Sequence, residues 1–566
     1  MKPKAELDVF DVAIVGAGPV GLTIANYLGC MGIRTLVLEQ RDTLIDYPRG
    51  VGMDDECLRS FQAIGLADAI AAHTIPGQKM RFLTMTGKTF ALIDPQTREF
   101  GWPRRNSFIQ PMIDEILFDG LKRFDGVAVE FGAELQSFEE EGERIHLQVG
   151  SAGRTRRVSA RWLVGCDGGR SMVRKALDID FVGITDATRW VVIDLKNDPI
   201  GLPDSYLYCV PSRPYVSIAL PHGMRRLEFM VFGDETEEEL CSPAGVQALL
   251  ARALPHPERA DVMRSRVYTH NARLASHFGR GRVLIAGDAA HLMPVWQGQG
   301  YNSGIRDATN LAWKLALAVR GDASPDIVQS YEPERREHAK AMIDLSVTAG
   351  RIFAPTNKAI AWLRDRVALG LNTLPPVKRY FVQMRFKPMP RFVRGLVLTG
   401  ADGQPQGRAT GKLFPQPDVV TADGGTRRLD DAIGLRFAIL SWGSDPQLHM
   451  TEEVRRYWAD MGAALLAVVP TTQLYSFRGE IRPGTVLIGD ASGALHDWFA
   501  GQEGDGSIVV VRPDRVVASI VPPQRLEEAS RTLRALIGGR FSAGEPAMRE
   551  RPSPPTNFDR GLGKAA

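Results

Sequence analysis

The residues that first suggest chemistry are closely spaced glycines near the N-terminus. Gly16, Gly18 and Gly21 follow an apolar run that ends at Val15, and Pro19 lies between them. The first glycine permits a tight turn, the second lets a pyrophosphate approach the backbone, and the third lets a helix pack close to a strand. Free N–H groups at the start of that helix would bind the phosphates. The spacing therefore predicts a dinucleotide site.

An acidic residue follows the next predicted strand, Thr35–Leu38. This residue is Glu39, 18 positions after Gly21. A carboxylate there would accept a hydrogen bond from a ribose hydroxyl and would repel the 2′-phosphate of NADP. The strand–helix–strand pattern alone does not distinguish NAD from FAD.

A second glycine-rich loop lies far downstream, after a buried strand predicted over 282–286, and precedes a helix with an apolar stripe. NAD needs no second loop, but the ribityl chain and isoalloxazine of FAD extend beyond a dinucleotide pocket. We expect an aspartate here to accept hydrogen bonds from the ribityl hydroxyls. The helix N-terminus would stabilise the flavin N1/O2 edge, which becomes anionic on reduction. The chain is therefore predicted to bind FAD non-covalently, with contacts at Gly287, Asp288, Gly298, Gly300, Tyr301 and Asn302.

Three motifs in this order resemble those of the class A flavoprotein monooxygenases, the single-component aromatic hydroxylases. They are GAGPVG, CDGGRSMVR and GDAAHLMPVWQGQGYNSG. The resemblance covers roughly residues 8–350, and the second half is similar to the longer members with a C-terminal thioredoxin-like domain. One departure is that Pro294 stands four residues before Gly298, where the family usually has three, with Trp296 between them.

The resemblance implies roles for further residues and for co-substrates. Arg49 matches an arginine that contacts the FAD phosphates, Gln110 a glutamine beside the ribityl chain, and Asp167 an aspartate that contacts FAD and nicotinamide. It also implies NADH as a transient reductant, O2 as oxidant, and a small phenolic acid of the 3-hydroxyphenylpropionate or 3-hydroxycinnamate kind as substrate. This substrate would be hydroxylated ortho to its phenol, in aromatic acid catabolism. No catalytic residue is assigned.

The predicted fold class is α/β, with a Rossmann-like FAD-binding domain of the glutathione-reductase type, an inserted mixed β-sheet for substrate, and a C-terminal thioredoxin-like domain. In the family the substrate sheet is inserted between flavin-binding segments, so the FAD-binding domain is discontinuous. The expected boundaries are 1–79, 104–187 and 270–350 for the FAD-binding domain, 80–103 and 188–269 for the substrate sheet, 351–399 for a helical, basic connector, 400–541 for the thioredoxin-like domain, and 542–566 for a disordered tail.

Polar side chains in the predicted substrate sheet could meet a phenol or a carboxylate. Two stretches around residues 206–210 and 215–220 show the alternation of a strand. Each polar residue on its own is also compatible with an ordinary sheet surface. The candidate substrate contacts are Tyr206, Tyr208, Arg213, Tyr215 and His222.

The amino-acid composition limits the kinds of partner that the protein is expected to bind. The net charge of +3 gives no reason to expect a nucleic acid or an anionic membrane. The five cysteines are widely spaced without a CxxC pair, so we expect neither disulfides nor a metal site and favour a reducing cytoplasm. No cysteine follows Cys241, so the C-terminal domain cannot exchange dithiols. A homodimer is left open.

Three other functions share part of these features. A flavin reductase or dehydrogenase would have both FAD loops without oxygen insertion. A polyketide-tailoring or other phenolic hydroxylase of the same class would have nearly all of them. A flavin sensor would bind FAD without turnover.

Overall fold

The computed structural model describes residues 8–294, 296, 298–502 and 507–538. The predicted disordered tail, 542–566, lies outside the described residues, as do Val295 and Gln297 of the second loop. None of the described helices combines the length and the apolar character needed to cross a membrane.

The described part of the chain contains both strands and α-helices. The strands are β1 (Asp8–Val15), β2 (Thr35–Leu38), β3 (Gly52–Asp54), β4 (Thr74–Pro76), β5 (Met80–Leu83), β6 (Thr89–Ile93), β7 (Arg105–Phe108), β8 (Val127–Glu130), β9 (Ala133–Glu141), β10 (Arg144–Ser151), β11 (Arg154–Gly165), β12 (Phe181–Leu195), β13 (Ser205–Tyr208), β14 (Tyr215–Ala219), β15 (Arg225–Met230), β16 (Val262–Ala275), β17 (Gly279–Arg280), β18 (Val283–Ile285), β19 (His291–Leu292), β20 (Asp418–Thr421), β21 (Thr426–Arg428), β22 (Ala438–Trp442), β23 (Ala464–Pro470), β24 (Thr485–Asp490), β25 (Ile508–Val511) and β26 (Val517–Val521). The α-helices are α1 (Pro19–Cys30), α2 (Asp55–Ala63), α3 (Ala67–Ala71), α4 (Gln110–Leu121), α5 (Met172–Ala176), α6 (Glu237–Cys241), α7 (Pro243–Leu250), α8 (Gln299–Arg320), α9 (Tyr331–Phe353), α10 (Lys358–Leu371), α11 (Pro375–Val382), α12 (Leu429–Ile433), α13 (Glu452–Asp460), α14 (Ala494–Ala500) and α15 (Leu526–Ile537).

The first sheet carries both glycine-rich loops at one edge. Strands β8, β2, β1, β11 and β18 run parallel in that order, and β10 and β9 extend β11 as an antiparallel ribbon. Val12, Ala13 and Ile14 of β1 are fully buried, as expected for a parallel strand covered on both faces. Helices α4 and α8 pack against α1. The carboxyl ends of β1 and β18 therefore bring the two loops together.

The second sheet is mixed and buried on both faces. Its strand order is β19-β16-β12-β15-β14-β13-β5-β6, with β13 parallel to β5 and the other pairings antiparallel. One face packs around Trp190, Leu207 and Ile218. The opposite face packs on α6 and α7 through residues such as Val191 and Phe229. Successive residues of one strand thus enter two different cores.

The C-terminal sheet belongs to a separate α/β unit. Strands β24, β23 and β22 are parallel, and antiparallel strands flank them on both sides. One side of this unit continues the core of the first sheet, where Phe437 meets Trp313 of α8 edge-on at 5.5 Å. The predicted fold class, α/β with a flavin-binding unit, a mixed sheet and a C-terminal unit, is confirmed.

A further small sheet has the strand order β3-β7-β4, and its strand β3 contacts helices α2 and α8. The basic connector crosses beside it, and its Lys387 is only 4% exposed. Its ammonium group pairs with Asp54 at 2.8 Å and Glu56 at 2.9 Å. Lys387 of the connector is therefore a buried ion-pair partner and not a solvent-exposed charge.

Candidate active site

A cavity of about 370 Å³ lies between the first and second sheets. That volume is within the range of small-molecule sites. One end is formed by the glycine-rich loops, including Gly18, Asp288 and Gly298. The other end is formed mainly by apolar side chains, namely Val51, Met80, Trp190, Leu207, Val216, Ile218, Leu292, Met293 and Trp296.

The first loop shows three different uses of glycine. Gly16 has a φ of +104°, and a Cβ there would stand 2.5 Å from the Cys166 carbonyl oxygen. A Cβ on Gly21 would stand 2.1 Å from the Gly16 carbonyl oxygen. A Cβ on Gly18 would meet nothing within 4 Å, and Gly18 and Pro19 both line the cavity. Gly16 and Gly21 thus allow close backbone packing, whereas Gly18 lines the cavity without a side chain that would project into it.

The acidic residue after β2 is held beside this loop. The Glu39 carboxylate accepts hydrogen bonds from the Ala17 N–H at 2.9 Å and the Arg41 N–H at 3.0 Å. Helix α1 begins without a side-chain cap, so its first N–H groups remain available to a ligand. An anion-binding helix terminus and a fixed carboxylate therefore lie side by side.

The second loop presents Asp288 to the cavity. Gly287 has a φ of +63°, and a Cβ there would meet Val20 of α1 at 2.8 Å. The Asp288 carboxylate pairs with the Arg49 guanidinium at 3.4 Å, and their side chains are 37% and 47% exposed. Both side chains line the cavity, so a ligand can reach them.

Helix α8 begins at the cavity. Gly298 caps it in the left-handed conformation without a side-chain cap, and Gly300 and Tyr301 line the cavity. The buried Tyr301 hydroxyl has no hydrogen-bond partner among the described residues. Asn302 faces away from the cavity and donates to the carbonyl oxygens of Gly298 at 2.7 Å and Gly52 at 3.0 Å, which fixes the loop.

Two residues implied by resemblance lie at the same end. The Gln110 side-chain oxygen accepts from the Gly50 N–H at 2.8 Å, and its amide nitrogen donates to Asp114 at 3.0 Å. Burial raises the pKa of Asp114 to about 8. Asp167 caps α5 by accepting from the Met172 N–H at 2.7 Å, while its other oxygen has no partner within the described part of the chain.

These residues fit FAD. A flat backbone at Gly18 and an uncapped helix start suit a pyrophosphate. Carboxylates at Glu39 and Asp288 suit hydroxyl groups, and a second uncapped helix start suits the flavin edge. Of the predicted cofactor contacts, the cavity wall includes Gly18, Pro19, Arg49, Gln110, Asp288, Gly298, Gly300 and Tyr301; Gly16, Gly21, Glu39, Asp167, Gly287 and Asn302 lie behind or beside it.

The candidate substrate contacts lie outside the cavity wall. The cavity wall includes Leu207, Val216 and Ile218 but none of Tyr206, Tyr208, Arg213, Tyr215 and His222. Because side chains alternate along a strand, the tyrosines of β13 and β14 lie on the opposite face, where Tyr208 and Tyr215 stack at 4.1 Å. Arg213 pairs with Glu235, and the exposed His222 contacts His73 at 3.0 Å.

The cavity instead uses aromatic residues that the sequence pattern did not single out as substrate contacts. The ring of Trp296 meets Trp190 edge-on at 5.0 Å and His270 at 6.0 Å. Trp190 and His270 are parallel at 6.1 Å. Trp296, which marks the departure from the family spacing, is therefore part of the cavity wall. Trp190 and His270 come from adjacent strands that are distant in sequence, so no local pattern could identify them.

Charged residues also reach this wall. Arg226 forms an ion pair with Asp194 at 2.7 Å. Glu228 lies on the same strand, and burial raises the pKa of its carboxyl. Arg105 of β7 is a further charged residue that lines the cavity near the apolar end.

Comparisons with known proteins agree with this geometry. The FAD binding domain family matches residues 9–346, and the HcaD C-terminal domain family matches residues 411–536. Proteins of Escherichia coli O139:H28 (strain E24377A / ETEC) and Escherichia coli (strain K12) are each 50% identical over 527 residues, covering 93% of this chain and 94% of theirs. Both are named 3-(3-hydroxy-phenyl)propionate/3-hydroxycinnamic acid hydroxylase.

Solved structures share the fold. The flavin-dependent monooxygenase PieE in complex with FAD and substrate superposes with a TM-score of 0.77 at 22% identity, over 94% of this chain and 99% of PieE. Aklavinone-11 hydroxylase with FAD and aklavinone gives a TM-score of 0.73 at 22% identity, over 94% and 100% of the two chains. With two loops built for FAD, a family match over most of the chain and relatives of half-identical sequence, the chain belongs to the FAD-binding class A flavoprotein monooxygenases and is an enzyme.

Proposed function

We propose that this enzyme hydroxylates 3-(3-hydroxyphenyl)propionate, and also 3-hydroxycinnamate, ortho to the phenol with NADH and O2. The observation that carries the proposal is the continuous cavity between Gly298, Gly300 and Tyr301 at one end and the apolar wall of Trp190 and Leu207 at the other. An aromatic ring held in that wall would lie next to the flavin end. The names of the half-identical relatives support the choice of substrate.

We propose the following roles at the cofactor end. The backbone at Gly18 and the start of α1 would hold the pyrophosphate, Glu39 a ribose hydroxyl, and Arg49 the phosphates. Asp288 and Gln110 would hold the ribityl chain. The backbone of 298–302 would hold the flavin edge, where the N-terminus of α8 favours negative charge. FAD held there and reduced by NADH would activate O2, so that one oxygen atom is transferred to the ring and the other leaves as water.

The protein's own contribution at the substrate end is exclusion of water and orientation of the ring. Trp190, Trp296 and Leu207 provide an apolar wall that places few competing hydrogen-bond partners near the ring carbon. Loss of the phenol proton makes the ortho carbon nucleophilic. Glu228, Tyr268 and His270 are titratable groups on the same wall that could hold this proton.

NADH oxidation in the presence and absence of 3-(3-hydroxyphenyl)propionate tests the proposal. We expect the acid to accelerate NADH oxidation and to be converted to a catechol. NADH oxidation that the acid does not accelerate, with no dihydroxylated product, would instead indicate a reductase. Turnover only of larger polycyclic phenols would indicate a tailoring hydroxylase. Bound FAD without any NADH oxidation would indicate a sensor.

We also propose a cytoplasmic location and a homodimer. The five cysteines are free in the structure, which suits a reducing compartment. Helix α10 exposes an apolar stripe at helical spacing, comprising Ile360, Leu363, Val367 and Leu371. A second copy of the chain would bury this stripe. Sedimentation velocity should give a dimer that Leu363→Glu weakens.

A further inference from the structure

Three arginines of the described residues line the cavity: Arg49, Arg105 and Arg226. Arg226 is fully engaged, because it pairs with Asp194 and donates to the Pro48 carbonyl oxygen. Arg49 pairs with Asp288 at the flavin end. Arg105 differs from both, since no carboxylate among the described residues lies within ion-pair distance of it.

The surroundings of Arg105 leave its charge under-compensated. Its Nη2 donates only to the Ser205 hydroxyl at 3.3 Å, and its buried Nε has no partner among the described residues. The neighbouring Asp204 pairs instead with Arg81 at 2.9 Å. Removal of the guanidinium from bulk water lowers the pKa of Arg105 to about 10, against the opposing effect of Asp204. A cation held in this way gains stability from an anionic ligand.

The position of Arg105 relative to the flavin end suits a ligand with one ring and a short acidic chain. In the sheet, Gly52 pairs with Ser107 and Asp54 with Arg105. A Cβ on Gly298 of the flavin loop would stand 3.9 Å from Gly52. Arg105 therefore lies two residues, roughly 7 Å, along the strand from the contact with the flavin loop. The apolar residues Met80 and Leu207 line the cavity along with it.

We propose that Arg105 binds the carboxylate of the substrate's propionate or acrylate side chain and so selects phenolic acids over neutral phenols. The planar guanidinium lines the cavity and can offer its two Nη atoms in a paired geometry that a carboxylate accepts. This inference rests on the proposed function, because it assigns the acidic end of that substrate.

The test compares two ligands on the FAD-loaded enzyme. The dissociation constants of 3-(3-hydroxyphenyl)propionate and of its neutral amide, 3-(3-hydroxyphenyl)propanamide, are measured by titration of the flavin absorbance. Arg105→Met should weaken binding of the acid about 30-fold or more, and that of the amide less than about threefold. Arg105→Lys should recover part of the acid affinity, because it keeps the charge but loses the paired donors.

Arg213→Met is the matched control, since Arg213 lies outside the cavity wall and pairs with Glu235. It should leave both dissociation constants unchanged. Equal losses for acid and amide in Arg105→Met, unchanged acid binding, or loss of FAD without a change in acid selectivity would each overturn the role of Arg105.

Failure of the proposed function would look different. Wild-type enzyme that converts neither ligand would contradict the hydroxylation, whatever Arg105 does. Because the titrations need binding and not turnover, they decide the role of Arg105 in either case.

Discussion

At the residue scale, two neighbouring glycines of the first loop differ in what a side chain would meet. A methyl group on Gly16 would collide with the Cys166 backbone, whereas one on Gly18 would project into open space at the cavity wall. The need for glycine at position 18 therefore comes from the ligand and not from the fold.

Gly18→Ala should consequently keep the fold and lose cofactor. We expect the thermal midpoint of the FAD-free protein to be unchanged and FAD to bind about tenfold more weakly or worse, a cost of about 1.4 kcal/mol. Gly370→Ala is the control, because a Cβ there also meets nothing within 4 Å but lies on α10, away from the cavity. Equal FAD affinities in the two variants would contradict the role of Gly18.

The buried Asp114 should make stability depend on pH. Its pKa is about 8 in the folded protein, against about 3.9 in an unfolded chain. Between these values the unfolded chain releases the proton and the folded protein keeps it, so the free energy of unfolding falls as pH rises. Asp114→Asn should remove this slope, which approaches about 1.4 kcal/mol per pH unit. Denaturant unfolding of both proteins at pH 5 and pH 7.5 checks it; a stability difference that is the same at both pH values would contradict the raised pKa.

The residues that line the cavity were only partly predictable from the sequence. The alternation in β13 and β14 identified strands correctly but not which face of the sheet lines the cavity. Both faces are buried, one against the cavity and one against α6 and α7, so hydrophobicity could not distinguish them. The tyrosines were chosen for their chemistry and lie on the face away from the cavity.

At the element scale, the start of α8 is held by a buried charge network. The Asp307 carboxylate meets His291 at 2.6 Å, Arg335 at 2.9 Å and the Gly287 N–H at 3.0 Å. Burial opposes the charge of Asp307, but His291 and Arg335 outweigh it and lower the pKa to about 2. The network ties strand β19, the Gly287–Asp288 turn and helices α8 and α9 into one support.

Asp307→Asn should loosen this support. Leaving Arg335 buried without its carboxylate costs about 3–5 kcal/mol of unfolding free energy. FAD should also dissociate more readily, because the single amide oxygen of Asn cannot replace both carboxylate oxygens that hold His291, Arg335 and Gly287 beside Asp288. Asp344→Asn is the control, since its pair with Lys340 is on the surface of α9 and contributes little. Urea unfolding and FAD retention in both variants measure the difference; comparable stabilities would show that the network is not needed.

At the scale of the whole molecule, buried ion pairs join the C-terminal unit to the flavin-binding core. Arg59 of α2 forms a paired contact with Asp430, at 2.7 and 2.9 Å. Arg512 pairs with Glu334 of α9 at 2.7 Å. With Trp313 against Phe437, these contacts make the C-terminal unit part of one folded body. That gives the cysteine-free unit a structural role.

Asp430→Ala should therefore destabilise the whole enzyme. It leaves Arg59 and Arg515 buried without their shared carboxylate, a loss of about 3–5 kcal/mol. FAD release and unfolding of the C-terminal unit should shift to lower temperature together in calorimetry. Asp418→Ala, at an exposed position of β20, should shift neither. Separate transitions for FAD release and for the C-terminal unit would contradict a single folded body.

The features that the sequence predicted are formed by residues that lie close together in the chain. The loops at Gly16–Gly21 and Gly298–Asn302 could be predicted because a strand, a glycine-rich turn and a helix follow one another within a few residues. The cavity wall of Arg105, Trp190 and His270 could not, because three distant segments meet there only after the sheets fold. The buried ion pairs of Lys387 could not be predicted for the same reason, since its partners Asp54 and Glu56 precede it by more than 300 residues.

The central claim is transfer of one oxygen atom from O2 to a phenolic acid, and isotope labelling tests it most directly. The enzyme with FAD is supplied with NADH, 3-(3-hydroxyphenyl)propionate and ¹⁸O2, and the product is analysed by mass spectrometry. The account predicts a catechol that carries one ¹⁸O atom, formed with one NADH consumed per product. NADH consumed with formation of hydrogen peroxide alone, or a product whose new oxygen comes from water, would contradict it.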